Sequence, residues 1–200
     1  MTKIAVFGGT FNPPHIGHLK IIEKLQALKK HNKIFIIPTY LPPHKELADY
    51  ISAQDRLNML NLLFANIDNI EISDIELKKK KISYTYYTVL ELKNAHKNSE
   101  IDIVIGADNF EILDEWHKIN ELLQTAKFIV FSRNSAISDH TKIPKNYEKY
   151  KSNFFFIDDF DFTVSSSKIR ELIKSKKYDE AQKLLNPEIF EYIVQHKLYE

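Results

Sequence analysis

Two rhythms of apolar and polar residues alternate along this chain. Lys3-Ile4-Ala5-Val6-Phe7 is a short apolar run closed by Gly8-Gly9, the pattern of a strand buried on both faces. From Ile16 to Lys30 the period changes, and Leu19, Ile21, Ile22, Leu25 and Leu28 form a stripe at helical spacing with lysines opposite. Ile34 to Ile37, stopped by Pro38, predicts a second strand. Residues 53–66 return to helical spacing through Leu57, Leu60, Leu63 and Phe64, and 70–77 alternates weakly. A helix is predicted over 85–97, then a strand over 101–105 (IDIVI) broken at Gly106-Ala107-Asp108. Short helical pieces surround Trp116, strands follow at 128–131 and 154–157, and helices close the chain at 167–174, 179–185 and 187–196. This alternation predicts an α/β fold with a doubly wound parallel sheet flanked by helices. One domain is expected over 1–200, a sheet core over 1–165 carrying a small helical C-terminal part over 166–200. Residues 39–52 and the lysine run 78–81 read as a loop and a solvated turn.

Composition narrows the function classes. With 200 residues, 44% hydrophobic and 28% charged, the chain can bury a sizeable core. There is no cysteine, which excludes disulfides, thiolate metal sites and cysteine nucleophiles. Lys+Arg 28 against Asp+Glu 27 gives no overall pull toward nucleic acid, and no apolar run approaches the roughly 20 residues of a membrane span. The first strand begins at once and leaves no room for a signal peptide, so a cytoplasmic protein is expected. Glycine occurs only four times, at Gly8, Gly9, Gly17 and Gly106, all read as lying at or just past strand ends. Glycine permits positive φ or close backbone approach to a ligand, and ligands of open parallel sheets sit beyond the carboxyl ends of strands. Only Arg56, Arg133 and Arg170 are arginines.

Two segments carry chemistry. Gly8-Gly9-Thr10-Phe11-Asn12-Pro13-Pro14-His15-Ile16-Gly17-His18 matches neither the G-x-G-x-x-G nor the P-loop pattern. Two glycines leave a strand, and histidines three apart share one face where a helix opens, a polyanion site suited to a triphosphate. A tight strand-to-helix turn with two surface histidines is the plainer alternative, and zinc lacks a third ligand nearby. In Val164-Ser165-Ser166-Ser167-Lys168-Ile169-Arg170, one serine is accounted for as a helix N-cap. Three hydroxyls and a guanidinium together suit a second phosphate clamp.

The pair G-G-T-F-x-P-x-H-x-G-H and S-S-S-x-I-R resembles the nucleotidyltransferase superfamily with the (T/H)-x-G-H signature. Pro42-Pro43-His44-Lys45, Asp55 to Met59, Ser83-Tyr84-Thr85, Ile105 to Asp108 and Trp116-His117-Lys118 make the whole chain similar to bacterial nicotinate-nucleotide adenylyltransferases. That resemblance implies a Rossmann-like fold and transfer of the ATP adenylyl group to nicotinate mononucleotide, by in-line attack without a covalent intermediate. It also implies roles. His15, His18 and Arg170 would be catalytic; Gly8, Gly9, Thr10, Phe11, Gly106, Asp108, Ser166 and Ser167 would join them around ATP. Asn12, His44, Lys45, Thr85 and Trp116 would bind the mononucleotide. Mg²⁺ would arrive on the ATP phosphates with no protein metal site, and a homo-oligomer is compatible. Plainer roles stand beside these: Asp108 as a helix N-cap, Lys45 as an exposed turn lysine, Trp116 as a core residue. Asn12 replaces an aspartate frequent in the family, Tyr87 stands where many relatives carry aspartate, and Phe131 to Asn134 lacks the usual Arg-Pro-Gly turn. Rival functions are a sister adenylyltransferase acting on nicotinamide mononucleotide or phosphopantetheine, and a non-catalytic nucleotide or RNA module on the same fold.

Overall fold

In a computed structural model of the chain, residues 1–43, 51–132, 143–157 and 164–200 are described. Six strands form one sheet: β1 (Thr2–Gly9), β2 (Lys33–Pro38), β3 (Ile70–Ile72), β4 (Ser99–Gly106), β5 (Lys127–Phe131) and β6 (Phe154–Ile157). Their order is β3-β2-β1-β4-β5-β6, and every pairing is parallel. The helices are α1 (Ile16–Ala27), α2 (Ala53–Phe64), α3 (Ile75–Lys79), α4 (Thr85–Ala95), α5 (Ala107–Glu111), α6 (Ile119–Thr125), α7 (Ser166–Lys174), α8 (Tyr178–Gln182) and α9 (Pro187–Gln195).

The sheet is buried on both sides, which is why its central strands are continuous apolar runs rather than alternating ones. Ala5, Phe7, Ile34, Ile36 and Val104 face a cluster with Ile22 and Leu25 of α1, Met59 and Leu60 of α2, and Ile169, Leu172, Ile189 and Ile193 from the C-terminal helices. Ile4, Val6, Phe35, Ile37 and Ile103 face Val89 and Leu92 of α4 and Leu122 and Leu123 of α6. The stretch 166–200 is helical as expected, but it packs into the same apolar cluster as one face of the sheet.

Differences from the periodicity have local causes. Helix α1 stops at Ala27 because Lys29 adopts a left-handed φ of 49°, short of the predicted Lys30. The weakly alternating stretch 70–77 divides into a three-residue strand and the five-residue helix α3, which buries Glu76 and Leu77. The lysine run is only partly a turn: Lys78 and Lys79 lie in the last turn of α3, and Lys80 ends it at φ 50°. Residues Lys145–Asn153, which carry no clear period, form 3₁₀ turns that bury Tyr147.

Candidate active site

The strand order reverses direction between β1 and β4, and a crevice opens there at the carboxyl ends of the strands. A cavity of about 210 Å³ occupies it, with Gly8, Gly9 and Thr10 from β1 and its exit and Gly106 from β4 in its walls. Thr85 and Trp116 line the same cavity. Six of the residues expected from sequence are therefore brought together around one space.

The glycines work through space rather than through special dihedrals. No glycine has a positive φ; Gly106 sits at φ −83°, and a Cβ there would meet nothing within 4 Å. A Cβ on Gly9 would lie 3.1 to 3.3 Å from the Phe11 ring, so the bare glycine lets that ring fold beneath the strand end. Gly17 departs from the expected pattern: it is buried inside α1, not at a strand end. The left-handed residue of the loop is Phe11 itself, at φ 48°, an uncommon conformation for a bulky side chain. Its ring is 1% exposed and meets Phe7 and His18 edge-on, with centroids 5.5 and 4.9 Å away. Phe11 thus offers the loop its backbone, while its ring belongs to the core.

The histidines are arranged differently from two residues on one helical face. His15 is the N-cap of α1, in extended conformation, and only His18 lies within the helix. Their rings nonetheless stack, with centroids 3.7 Å apart and planes 25° from parallel. The His15 backbone N–H donates to His18 Nδ1 at 3.0 Å. An acceptor at Nδ1 leaves the proton of the neutral imidazole on Nε2, which is then the donor His18 can offer a ligand. His18 also lies 5.9 Å from Phe7, a residue of the cavity wall.

Each of the three serines has its own partner. Ser165 is the serine that caps α7, accepting from the Lys168 N–H at 3.2 Å. Ser166 Oγ donates to the Pro13 carbonyl at 2.8 Å. Arg170 donates to Ser167 Oγ at 3.3 Å and to the Asn12 carbonyl at 2.9 Å. Segments more than 150 residues apart therefore meet at the loop that follows β1. Asn12 is 2% exposed, and its Oδ1 accepts from the Tyr199 hydroxyl at 2.8 Å, so the side chain is held inward. Burial pushes the Tyr199 phenol up, against the opposing pull of Arg170 and Arg56, which keeps it a donor.

Arg56 clamps the loop from below. It is 2% exposed and donates from one guanidinium nitrogen to the carbonyls of Thr10, at 2.8 Å, and Thr39, at 2.7 Å. The exits of β1 and β2 are thereby tied to α2.

At the other end of the cavity, Thr85 is the first residue of α4, where amides lack acceptors within the helix. Trp116 is half-buried: it packs against Phe128 of the core, centroids 6.2 Å apart, and also lines the cavity. Asp108 does not cap α5, since Gly106 holds that position; it is exposed in the first turn, and its neighbour Asn109 stands in the cavity wall instead. Sequence reasoning also passed over Glu76, Ser83 and His117 as members of that wall. His117 was legible as an aromatic-flanked polar residue beside Trp116; its ring meets Tyr87 OH at 3.1 Å. His44 and Lys45 lie outside the described residues, as do Arg133 and Asn134. Among the described residues no helix is long and apolar enough to cross a membrane.

Comparison with known proteins agrees with this geometry. Residues 6–172 match the cytidylyltransferase-like family. The nicotinate-nucleotide adenylyltransferase of Bacillus subtilis is 34% identical over 200 residues, covering all of both chains. A probable nicotinate-nucleotide adenylyltransferase of Clostridium tetani is 37% identical over 201 residues, again covering both completely. Among solved structures, Plasmodium falciparum nicotinic acid mononucleotide adenylyltransferase complexed with NaAD superposes with a TM-score of 0.82 at 21% identity, covering 100% of this chain and 98% of that one. The fold is shared with that enzyme, and the full-length sequence kinship settles the family: this chain belongs to the nicotinate-nucleotide adenylyltransferases.

Proposed function

We propose that this chain joins ATP to nicotinate mononucleotide, releasing pyrophosphate and forming nicotinate adenine dinucleotide (deamido-NAD), in NAD biosynthesis. The observation that carries the proposal is the stitching of α7 to the loop after β1, Ser166 to Pro13 and Arg170 to Asn12, directly beside the β1–β4 cavity. It gathers two hydroxyls and a guanidinium at the loop that leads from Thr10, in the cavity wall, to the stacked imidazoles. Such a site positions two phosphorylated substrates and neutralises charge; it offers no covalent nucleophile.

In this mechanism an oxygen of the mononucleotide phosphate attacks the α-phosphorus of ATP as the bond to the bridging oxygen breaks. His18, through Nε2–H, and the stacked His15 stabilise the charge that grows on the departing pyrophosphate. Arg170, anchored on Asn12 and Ser167, holds its positive charge at the β/γ end together with Ser166 and Ser167. Gly8, Gly9, Thr10 and the Phe11 backbone approach the nucleotide, and Gly106 and Asp108 lie toward adenosine. His44 and Lys45 take the mononucleotide phosphate. Donors of this kind are phosphate ligands rather than a carboxylate cage, so Mg²⁺ would enter bound to ATP and supply charge neutralisation there. The reaction is assigned to the cytoplasm, in a monomer or a homo-oligomer.

The pyridine ring stacks on Trp116, and its carboxylate meets the Thr85 hydroxyl and the amides at the N-terminus of α4, whose dipole favours an acid over a neutral amide. Pyrophosphate release is measured with ATP and either nicotinate or nicotinamide mononucleotide. The expected kcat/KM is at least about tenfold higher for the acid, the worth of one well-placed charge-assisted hydrogen bond. Equal values remove the acid selectivity. No release with either mononucleotide, but release with phosphopantetheine, would assign the chain to a sister activity.

A further inference from the structure

Glu76 is the one acidic residue among those lining the cavity, and it is 7% exposed. Its carboxylate accepts from Thr88 Oγ1 at 2.7 Å, and Ser83, in the same cavity wall, lies near enough to help stabilise its charge. Ser83 in turn accepts the Tyr40 N–H at 3.1 Å on its own oxygen, and its backbone N–H donates to the Leu41 carbonyl at 2.9 Å. Leu41 and Ile82 pair as an isolated parallel bridge. One buried carboxylate thus joins three pieces of chain: α3, the start of α4, and the exit of β2 ahead of His44 and Lys45. The two hydroxyls beside it flank Thr85 in sequence, one two residues before and the other three residues after. Thr88 donates to the carboxylate and so ties α4 to α3, a geometric task.

We propose that Glu76 is a positioning residue for the mononucleotide, fixing the 83–88 turn so that the amide and hydroxyl of Thr85 face the pyridine carboxylate. This rests on the adenylyltransferase function above. Glutamine in its place keeps the volume but offers the Thr88 hydroxyl a neutral, weaker acceptor and has one carbonyl oxygen where the carboxylate has two. The turn is then free to shift relative to Trp116, while the histidines and α7 are untouched.

Glu76→Gln and Thr88→Val, made separately, break the bridge from its two sides. Steady-state kinetics of each full-length variant should show KM for nicotinate mononucleotide raised about tenfold, the loss of roughly one oriented hydrogen bond, with KM for ATP within about twofold. Thermal unfolding separates positioning from plain support of the fold. Burial holds the Glu76 carboxyl above the usual carboxylate range, against the pull of Thr88, Ser83 and Lys79. The stability linked to that raised value is present in acid and falls away as pH rises through it, so the ionised side chain is a cost at pH 8. Glu76→Gln removes that cost but weakens the Thr88 contact, so any Tm deficit of the variant should be smaller at pH 8 than at pH 5, even as mononucleotide affinity falls. An active unsubstituted enzyme whose two variants keep the original KM overturns the proposal alone, as does an equal rise in KM for both substrates. An unsubstituted enzyme that turns over no nicotinate mononucleotide overturns it together with the assigned reaction.

Discussion

Arg56 gives the sharpest quantitative test of how the site is supported. Replacing it with methionine keeps an unbranched apolar stem in a nearly water-free position but withdraws the guanidinium from Thr10 and Thr39. Two hydrogen bonds from a charged donor, each worth about 1.5–3 kcal/mol, are lost, and the Thr10 and Thr39 carbonyls lose that partner. Removing a buried charge returns part of that, since its desolvation is no longer opposed. The net destabilisation should be about 3 kcal/mol, which for a domain of this length lowers Tm by about 6–12 °C. Urea unfolding followed by circular dichroism measures the first quantity and a thermal scan the second. The exits of β1 and β2 separate in the variant, so KM for both substrates should rise together, unlike the one-sided effect expected at Glu76. Arg56→Lys presents one compact ammonium where two carbonyls converge and should recover about half of the loss at most. A destabilisation under about 1 kcal/mol in Arg56→Met would refute the clamp.

Two further substitutions probe the site itself. His18→Ala should lower kcat by about 100- to 1000-fold, the usual effect of removing one preorganised donor from a developing charge, while the dissociation constant for nicotinate mononucleotide from calorimetry stays within about threefold; unchanged turnover would remove His18 from the chemistry. Gly106→Ala has open space around its new methyl and an ordinary φ, so Tm should move by less than about 2 °C. Its KM for ATP should nevertheless rise several-fold if adenosine lies against that backbone, and an unchanged value would place the nucleotide elsewhere.

The sheet was readable because a strand covered on both faces must be apolar throughout, and runs such as IDIVI permit little else. Residues whose partners are side chains or helix ends were also legible: Thr85 at the start of α4, and a serine capping α7. What escaped were contacts whose acceptors are backbone carbonyls, since a carbonyl leaves no trace in residue identity. The double grip of Arg56 on Thr10 and Thr39, and that of Arg170 on Asn12, are of this kind. His15 as an N-cap ran against preference, because Ser, Thr, Asp and Asn normally hold that position. Asn109 joined the cavity wall unforeseen beside Asp108, because the phase of a five-residue helix decides which neighbour faces the cavity and so short a helix shows no period. Glu76 stayed hidden in a stretch too brief to declare itself helix or strand.

Tyr199, 8% exposed and next to the end of the sequence, reaches back to steady Asn12 in the first loop of the domain. The stretch that follows α9 is therefore no decorative tail but a strut beneath the loop that leaves β1. An affinity tag fused tightly behind Glu200 would tug on that strut, whereas one placed ahead of Met1, which is 89% exposed, would hang in solvent clear of the machinery.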